Sequence, residues 1–353
     1  MNKYALSLTC TVLAVFLNST SSSQDRKDFV SDASFIVGTY QPAKSDHSPK
    51  SMADRANEFL QTLSEKQRKK VTGPLKGEVR REWTNLPARP DADGIRMGEL
   101  NEKQAKAACD LMAALLSKEG YTKLTNIMLA DDQLLRGGRR RAGFGTEDFS
   151  VVLFGTPSET KPWGFQLDGH HVGFNMAIEG DKLSMSPSFI GTQPESFKIA
   201  SKTYRPFAGE MDLAYELVGS LTSKQLQTGI VGAKRGNVRL GPGKDGQVPP
   251  KKGVACSTFT ADQKSKLIKL ISQWVNCLPP KHAEARMAKI KKEIDQTYFA
   301  WNGDKKPKGD CSYMIHGPTL IIEYACQDLG GDPLNHLHSV YRDPTNEYGK
   351  QMK

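Results

Sequence analysis

The chain contains the five residues Leu63-Ser64-Glu65-Lys66-Gln67, in which a small polar residue follows an apolar one and glutamine comes three positions later. The same pattern recurs at 100–104, 221–225 and 259–263. This arrangement is typical of a capping box, in which the two polar side chains satisfy free N–H groups at the start of a helix. The pattern therefore predicts four helix starts, at Ser64, Asn101, Thr222 and Thr260.

The spacing of these four positions predicts an internal duplication. Ser64 and Asn101 are 37 residues apart, Thr222 and Thr260 are 38 apart, and the second pair follows the first by 158 or 159 residues. Alternating apolar patterns of the kind found in strands follow each second helix. The predicted strands are 149–154, 163–167, 172–178 and 182–185 in the first copy, and 298–301, 312–316, 319–325 and 336–342 in the second.

We therefore expect an α+β fold built from a duplicated module, at 51–205 and 206–353, with pseudo-twofold symmetry. Each copy would contain two capped helices followed by an antiparallel β-meander. The sequence leaves open whether the two meanders join into one sheet or stack on each other.

The first 23 residues have the layout of a secretory signal peptide. Asn2 and Lys3 precede a mostly apolar run at 5–17, and a small polar stretch follows. An apolar run of this length is too short to span a bilayer, and no later run is longer. We therefore expect a secreted or periplasmic protein without a transmembrane segment, with a flexible lead-in at 24–50.

The composition is that of a globular protein with a basic surface. Hydrophobic residues make up 38 % of the 353 residues, and the 49 Lys+Arg outnumber the 39 Asp+Glu. These figures exclude a wholly disordered chain and a disulfide-dense scaffold. The densest basic run, at 136–141, has no interleaved aromatic residues, so we expect no nucleic-acid partner. The expected partner is a small-molecule, sugar or peptide substrate.

Five cysteines follow the predicted signal peptide. Cys311 and Cys326 flank the turn at Gly317-Pro318 almost symmetrically. They either form a disulfide across a hairpin or remain buried free thiols.

Five of the seven histidines lie in the two β-rich segments. His336 and His338 share one face of the last predicted strand, because side chains alternate with a period of two. His170 or His171, at the opening of the third strand of the first copy, would supply a third imidazole. Imidazole groups suit Zn and Cu, so the four histidines predict a Zn or Cu site. The alternative is that they only form hydrogen bonds within the sheet.

A carboxylate and an arginine form the second group of candidates. Glu323 interrupts the apolar run 320–324, and a buried carboxylate needs a partner. Arg342 is the expected partner. The pair is either structural or catalytic, with Glu323 as a general acid or base and Arg342 holding Glu323 or an anionic substrate.

Two further residues are candidates for ligand binding. Asn175 occupies the position in the first copy that corresponds to Glu323 in the second. Trp163 either packs in the core or forms a wall on which a ligand stacks.

Several phrases of the sequence together resemble a known family. They are Trp163-Gly-Phe165, Gly169-His170-His171, Phe299-Ala-Trp301-Asn-Gly303, and His336-Leu-His338 followed by Tyr341-Arg342-Asp343-Pro344. The chain resembles the domain-of-unknown-function family thirty-five hundred over residues 53–349. The resemblance implies an exported protein and no particular activity. Members of that family tend to carry Asp where this chain has Glu347, which leaves the role of that position open.

The sequence supports three hypotheses about function. The first is an exported metal-dependent hydrolase that uses Zn or Cu. The second is a copper-dependent oxidoreductase, and the third is a non-catalytic protein that binds a sugar or a peptide in a cleft between the two copies.

Overall fold

The computed structural model describes residues 26–87, 94–136, 142–329 and 331–352. The predicted signal peptide lies outside these residues, as does most of the basic run at 136–141. Within the described ranges, the helices are too short or too polar to cross a membrane.

The described residues form nine α-helices. They are α1 (Asp32–Thr39), α2 (Pro49–Thr62), α3 (Glu65–Val71), α4 (Glu102–Leu115), α5 (Lys118–Gln133), α6 (Ala208–Gly219), α7 (Ser223–Gly229), α8 (Ala261–Val275) and α9 (Pro280–Lys292). All four predicted capping boxes are confirmed, at the starts of α3, α4, α7 and α8. In each, the small polar side chain accepts from the N–H of the glutamine, and the glutamine side chain bonds back.

Fifteen strands are described. They are β1 (Thr72–Gly73), β2 (Ile95–Arg96), β3 (Ser150–Phe154), β4 (Trp163–Gly169), β5 (Val172–Glu179), β6 (Lys182–Ser184), β7 (Ser188–Thr192), β8 (Phe197–Ile199), β9 (Lys202–Tyr204), β10 (Ile230–Gly232), β11 (Val254–Ala255), β12 (Tyr298–Gly303), β13 (Cys311–His316), β14 (Ile321–Cys326) and β15 (Leu337–Arg342). Thirteen of them form one mixed sheet, in the order β1-β3-β4-β5-β7-β15-β14-β13-β12-β10, with β2, β6 and β11 paired at its margins.

The two β-rich segments join into one sheet, which answers the question that the sequence left open. The junction is the antiparallel pairing of β7 with β15. All eight predicted strands are present within a few residues of their expected ends. Sequence reasoning missed β7, the strand that makes the junction, because its five residues follow a proline and alternate weakly.

The helices cover one face of the sheet, where the main hydrophobic core lies. The other face carries a smaller core, in which Trp83 and Leu240 from two long loops pack on Phe189, Ile321 and Val340. Trp83 lies directly on Gly173 of β5, where a Cβ atom would come within 2.2 Å of the indole. Long loops therefore take the place of a second helical layer on this face.

The described part of the predicted lead-in at 24–50 contains a helix. Helix α1 lies there and buries Ala33, Ile36 and Val37 against the main core. Its N-cap Ser31 forms a reciprocal capping box with Ser34. Serine instead of glutamine in the box hid this helix from the sequence pattern.

Cys311 and Cys326 lie at adjacent ends of the paired strands β13 and β14. Both are free thiols in the structure, as are the other three cysteines among the described residues. The geometry expected from the sequence is therefore present without the covalent bond.

Candidate functional site

Strands β4 and β5 form a tight hairpin that carries two of the candidate histidines. Gly169 pairs with Val172, so His170 and His171 form the turn itself rather than the opening of β5. His171 has a φ of 69°, in the left-handed region that non-glycine residues seldom adopt. Its N–H donates to the carbonyl of Asn85, and its own carbonyl accepts from the N–H of Gly191. These two hydrogen bonds fix the backbone from which the imidazole projects.

The last strand brings the other two histidines to the same place. His338 lies in β15 opposite Gly191 of β7, and His336 immediately precedes the strand on the same face. A Cβ atom at position 191 would lie 2.9 Å from Cδ2 of His338 and 3.0 Å from Cδ2 of His171. The glycine therefore makes room for the two rings to approach each other.

Three imidazoles converge on one point. The Nε2 atoms of His171 and His336 are 2.7 Å apart, and each of His171, His336 and His338 offers a nitrogen within 4.8 Å of the other two. Nε2 of His338 is buried and has no hydrogen-bond partner in the described part of the chain. Ligand nitrogens that share a tetrahedral Zn lie about 3.4 Å apart, because each Zn–N bond is about 2.0–2.1 Å. The cluster therefore fits a transition-metal ion after small shifts of the rings.

The surroundings keep these imidazoles neutral, which is the form that binds metal. Burial lowers the pKa of His171 well below its usual value, and the neighbouring histidines add to the effect. Burial also lowers the pKa of His338 to about 3 and lowers that of His336. Nδ1 of His336 lies 2.5 Å from the carbonyl oxygen of Leu329 and donates to it, which leaves Nε2 of His336 unprotonated and directed at Nε2 of His171.

An aspartate that sequence reasoning missed lies beside this cluster. Asp131, in the last turn of α5, accepts a hydrogen bond of 2.5 Å from Nδ1 of His170 and another from the N–H of Gly145. The ring of His170 packs against that of His171, with centroids 3.7 Å apart and the planes tilted by 34°. Asp131, His170 and His171 form a second group with metal-ligating atoms close together. The available signal was a pair of aspartates at 131–132, directly after the apolar run 127–130 of this helix.

The expected pairing of Glu323 with Arg342 was wrong. Arg342 forms a buried ion pair with Glu347 instead, with its Nε 2.6 Å from a carboxylate oxygen. Glu323 accepts from the backbone N–H groups of Arg239 and Leu240, at 2.9 and 2.8 Å. Burial raises the pKa of Glu323, and these two hydrogen bonds act against that rise.

The structure does not bring Glu323 into the histidine cluster. Glu323 of β14 pairs with Val340 of β15, whereas His338 pairs with Ala325. Glu323 and His338 therefore lie on the same face of the sheet but are diagonal neighbours, not directly opposite each other. The carboxylate of Glu323 binds the loop that covers this face. Its proposed role as an acid or base at the histidines therefore has no support from the contacts observed.

The two candidate ligand-binding residues are both buried. The amide of Asn175 accepts from Gln166 and donates to the carbonyl of Pro187, so its hydrogen-bonding groups are occupied within the sheet. The indole of Trp163 packs in the main core, where its N–H has no partner among the described residues. Trp163 also borders a cavity that lies away from the histidines.

The fold and the site define an α+β protein with a single large mixed sheet and a candidate metal centre at the junction of its two halves. The chain belongs to the family described as protein of unknown function (DUF3500), whose model matches residues 45–350. This confirms the resemblance seen in the sequence. No curated protein and no solved structure matches the chain.

Proposed function

We propose that this protein binds one Zn or Cu ion through His171, His336 and His338 and uses it in catalysis. The observation that carries the proposal is the buried, unpartnered Nε2 of His338, which faces two neutral imidazoles. A buried polar atom without a partner is unfavourable by about 1–3 kcal/mol, and a bound metal ion would remove that penalty. Three protein ligands leave a coordination position open, as in catalytic rather than structural zinc sites.

Hydrolysis is the reaction that this arrangement supports best. A zinc ion with three histidine ligands lowers the pKa of a bound water molecule to about 7. The Asp131–His170 pair, packed against His171, supplies a base oriented by a carboxylate next to the site. This pair takes the acid–base role that the sequence had suggested for Glu323.

Copper-dependent oxidation is the second candidate. Imidazole ligands suit copper as well as zinc, so the ligand set does not separate the two metals. We propose that residues 1–23 direct the protein to the periplasm or the cell exterior, where either metal would reach the site after export. Identification of the bound metal decides between hydrolysis and oxidation.

We further propose that the chain is a duplicated module with pseudo-twofold symmetry. The support is that the same contacts recur in both halves. Gln67 bonds to Gln104 as Gln225 bonds to Gln263. In addition, β1 runs parallel to β3 as β10 runs parallel to β12. On this view the histidine site combines a turn from the first copy with a strand from the second.

The first experiment measures metal content by mass spectrometry, on protein purified without a histidine tag after loading with Zn or Cu and dialysis. We expect about one metal ion per chain, and its loss in His338→Ala. The control is His316→Ala, because His316 is also a buried strand histidine with an unpartnered Nδ1 but lies outside the cluster.

Two results would contradict the proposal. One is the absence of stoichiometric metal after loading. The other is equal metal content in His338→Ala and the wild type. Circular dichroism of each variant separates the loss of a ligand from the loss of the fold.

A further inference from the structure

A cavity of about 550 Å³ lies at the opposite end of the central strands from the histidine cluster. Trp163, at the start of β4, borders the cavity, whereas Gly169, at the end of β4, adjoins the histidine turn. Six residues of strand separate these two points, which corresponds to about 20 Å. The cavity is therefore a separate site.

The wall of this cavity carries a surplus of positive charge. Lys76, Arg80, Arg81 and Lys350 all line it, and none forms an ion pair with a carboxylate in the described part of the chain. The acidic residues described in the wall already have partners: Glu347 is paired with Arg342 and accepts from the N–H of Gly246. The other, Asp245, accepts a hydrogen bond from the hydroxyl of Tyr348.

Arg80 is the most informative of these cations because its side chain is buried. Among the described residues, its guanidinium donates only to the carbonyl oxygens of Met176 and Tyr348, at 3.1 and 3.2 Å. Gly164 leaves room for it, since a Cβ atom there would lie 3.0 Å from Nη2. Burial lowers its pKa to about 10, so Arg80 remains a cation at neutral pH. A buried charge without a counter-ion is unfavourable, and an anion in the cavity would supply one.

The rest of the wall suits an organic molecule rather than a bare inorganic ion. Leu75, Pro162 and Met352 contribute apolar surface, and the ring of Tyr348 lies beneath both arginines, about 5.6 and 5.9 Å from their guanidinium carbons. The volume falls within the range of about 300–1,000 Å³ that is usual for small-molecule sites.

We infer that this cavity binds a hydroxylated organic anion of about the size of one sugar ring. Its carboxylate or phosphate group would lie against Arg80 and Arg81, because a guanidinium group pairs with either anion through two parallel hydrogen bonds. Asp245 would accept a hydrogen bond from a hydroxyl group of the same molecule. The inference does not depend on whether the histidines bind metal.

The test is isothermal titration calorimetry with three probes that share one sugar body: glucose, glucuronate and glucose 6-phosphate. We expect at least one of the two anions to bind about tenfold more tightly than glucose, because one charge-assisted pair contributes at least about 1.4 kcal/mol. The preferred anion distinguishes a sugar acid from a sugar phosphate. Arg81→Gln should weaken that binding at least about fivefold, since Arg81 is exposed and its replacement leaves the core intact.

Lys198→Gln is the matched control, because Lys198 is an exposed cation on β8 outside the cavity wall. It should bind the preferred anion as the wild type does. The inference is overturned if neither anion binds more tightly than glucose. It is also overturned if Arg81→Gln retains the full affinity of the wild type. His338→Ala should not change the affinity, which keeps this test independent of the metal proposal.

Discussion

Asp132 shows how a single buried carboxylate links the fold to pH. It follows Asp131 at the end of α5 and accepts hydrogen bonds from the N–H and hydroxyl groups of Thr146. Burial raises its pKa from 3.8 to about 7, against the effect of those bonds and of Arg136, and the charge of Asp131 adds to the rise. Between about pH 3.8 and pH 7, Asp132 is therefore protonated in the native state and ionised in the unfolded chain.

This difference predicts the sign of a pH effect. Because the native state binds more protons over that interval, ionisation of Asp132 reduces stability by about 1.4 kcal/mol for each pH unit of increase. Asp132→Asn has no such proton. We therefore expect its free energy of unfolding, relative to wild type, to rise by about 2 kcal/mol between pH 5 and pH 7.

Urea denaturation at the two pH values measures this change. Ser265→Ala, at an exposed position of α8, removes no ionisable group and is the control, and its difference from the wild type should stay constant. If the difference in free energy of unfolding between Asp132→Asn and the wild type were also constant, Asp132 would have the same pKa in the native and unfolded states.

At the scale of elements, the capping glutamines do more than begin helices. Gln263 bonds to the N–H of Thr260 at the start of α8, and its amide also donates to the carbonyl of Ser220 and to Gln225 of α7. One side chain thus joins the starts of two helices. Gln104 makes the corresponding bonds to Asn101, Thr62 and Gln67.

Gln263→Ala is therefore expected to lower the free energy of unfolding by about 2–3 kcal/mol, which exceeds the effect of a lost cap alone. The reason is that the partner groups left behind are partly or fully buried. Ser265→Ala, at an exposed position of the same helix, should change stability by less than about 0.5 kcal/mol. Equal stabilities of the two variants in chemical denaturation would mean that the glutamine pair contributes nothing beyond the cap.

At the scale of the whole molecule, the pairing of β7 with β15 makes the two halves one structural unit. Ile190 of β7 lies opposite Ser339, whose hydroxyl accepts from the indole of Trp274 and donates to the carbonyl of Glu323. The main core extends across this junction without interruption. Without this pairing, β7 and β15 would each become an exposed edge strand.

We therefore expect one cooperative thermal transition, with equal calorimetric and van't Hoff enthalpies. Leu167→Ala in the first half and Ile322→Ala in the second should each lower the midpoint of that single transition, since each removes a fully buried side chain. Differential scanning calorimetry checks this. Two transitions, each shifted by only one of the variants, would show that the halves unfold independently.

The sequence by itself determined the local features of this protein. The four capping boxes, the alternation of the eight strands and the common face of His336 and His338 all follow from patterns within a few residues. Such patterns depend on helical and strand periodicity, which the sequence displays directly. The family resemblance was also visible at this level, from short phrases.

Only the tertiary structure decided which distant groups meet. The link between the two halves depends on β7, a short strand with a weak pattern of its own. Asp131, the partner of His170, lies 39 residues away along the chain. Leu329, the partner of His336, lies seven residues before it, across a turn. The partner of Arg342 proved to be Glu347 in the following turn rather than Glu323 on the adjacent strand. Sequence periodicity fixes the face on which a side chain lies, whereas sheet order and loop paths fix the atoms that it contacts.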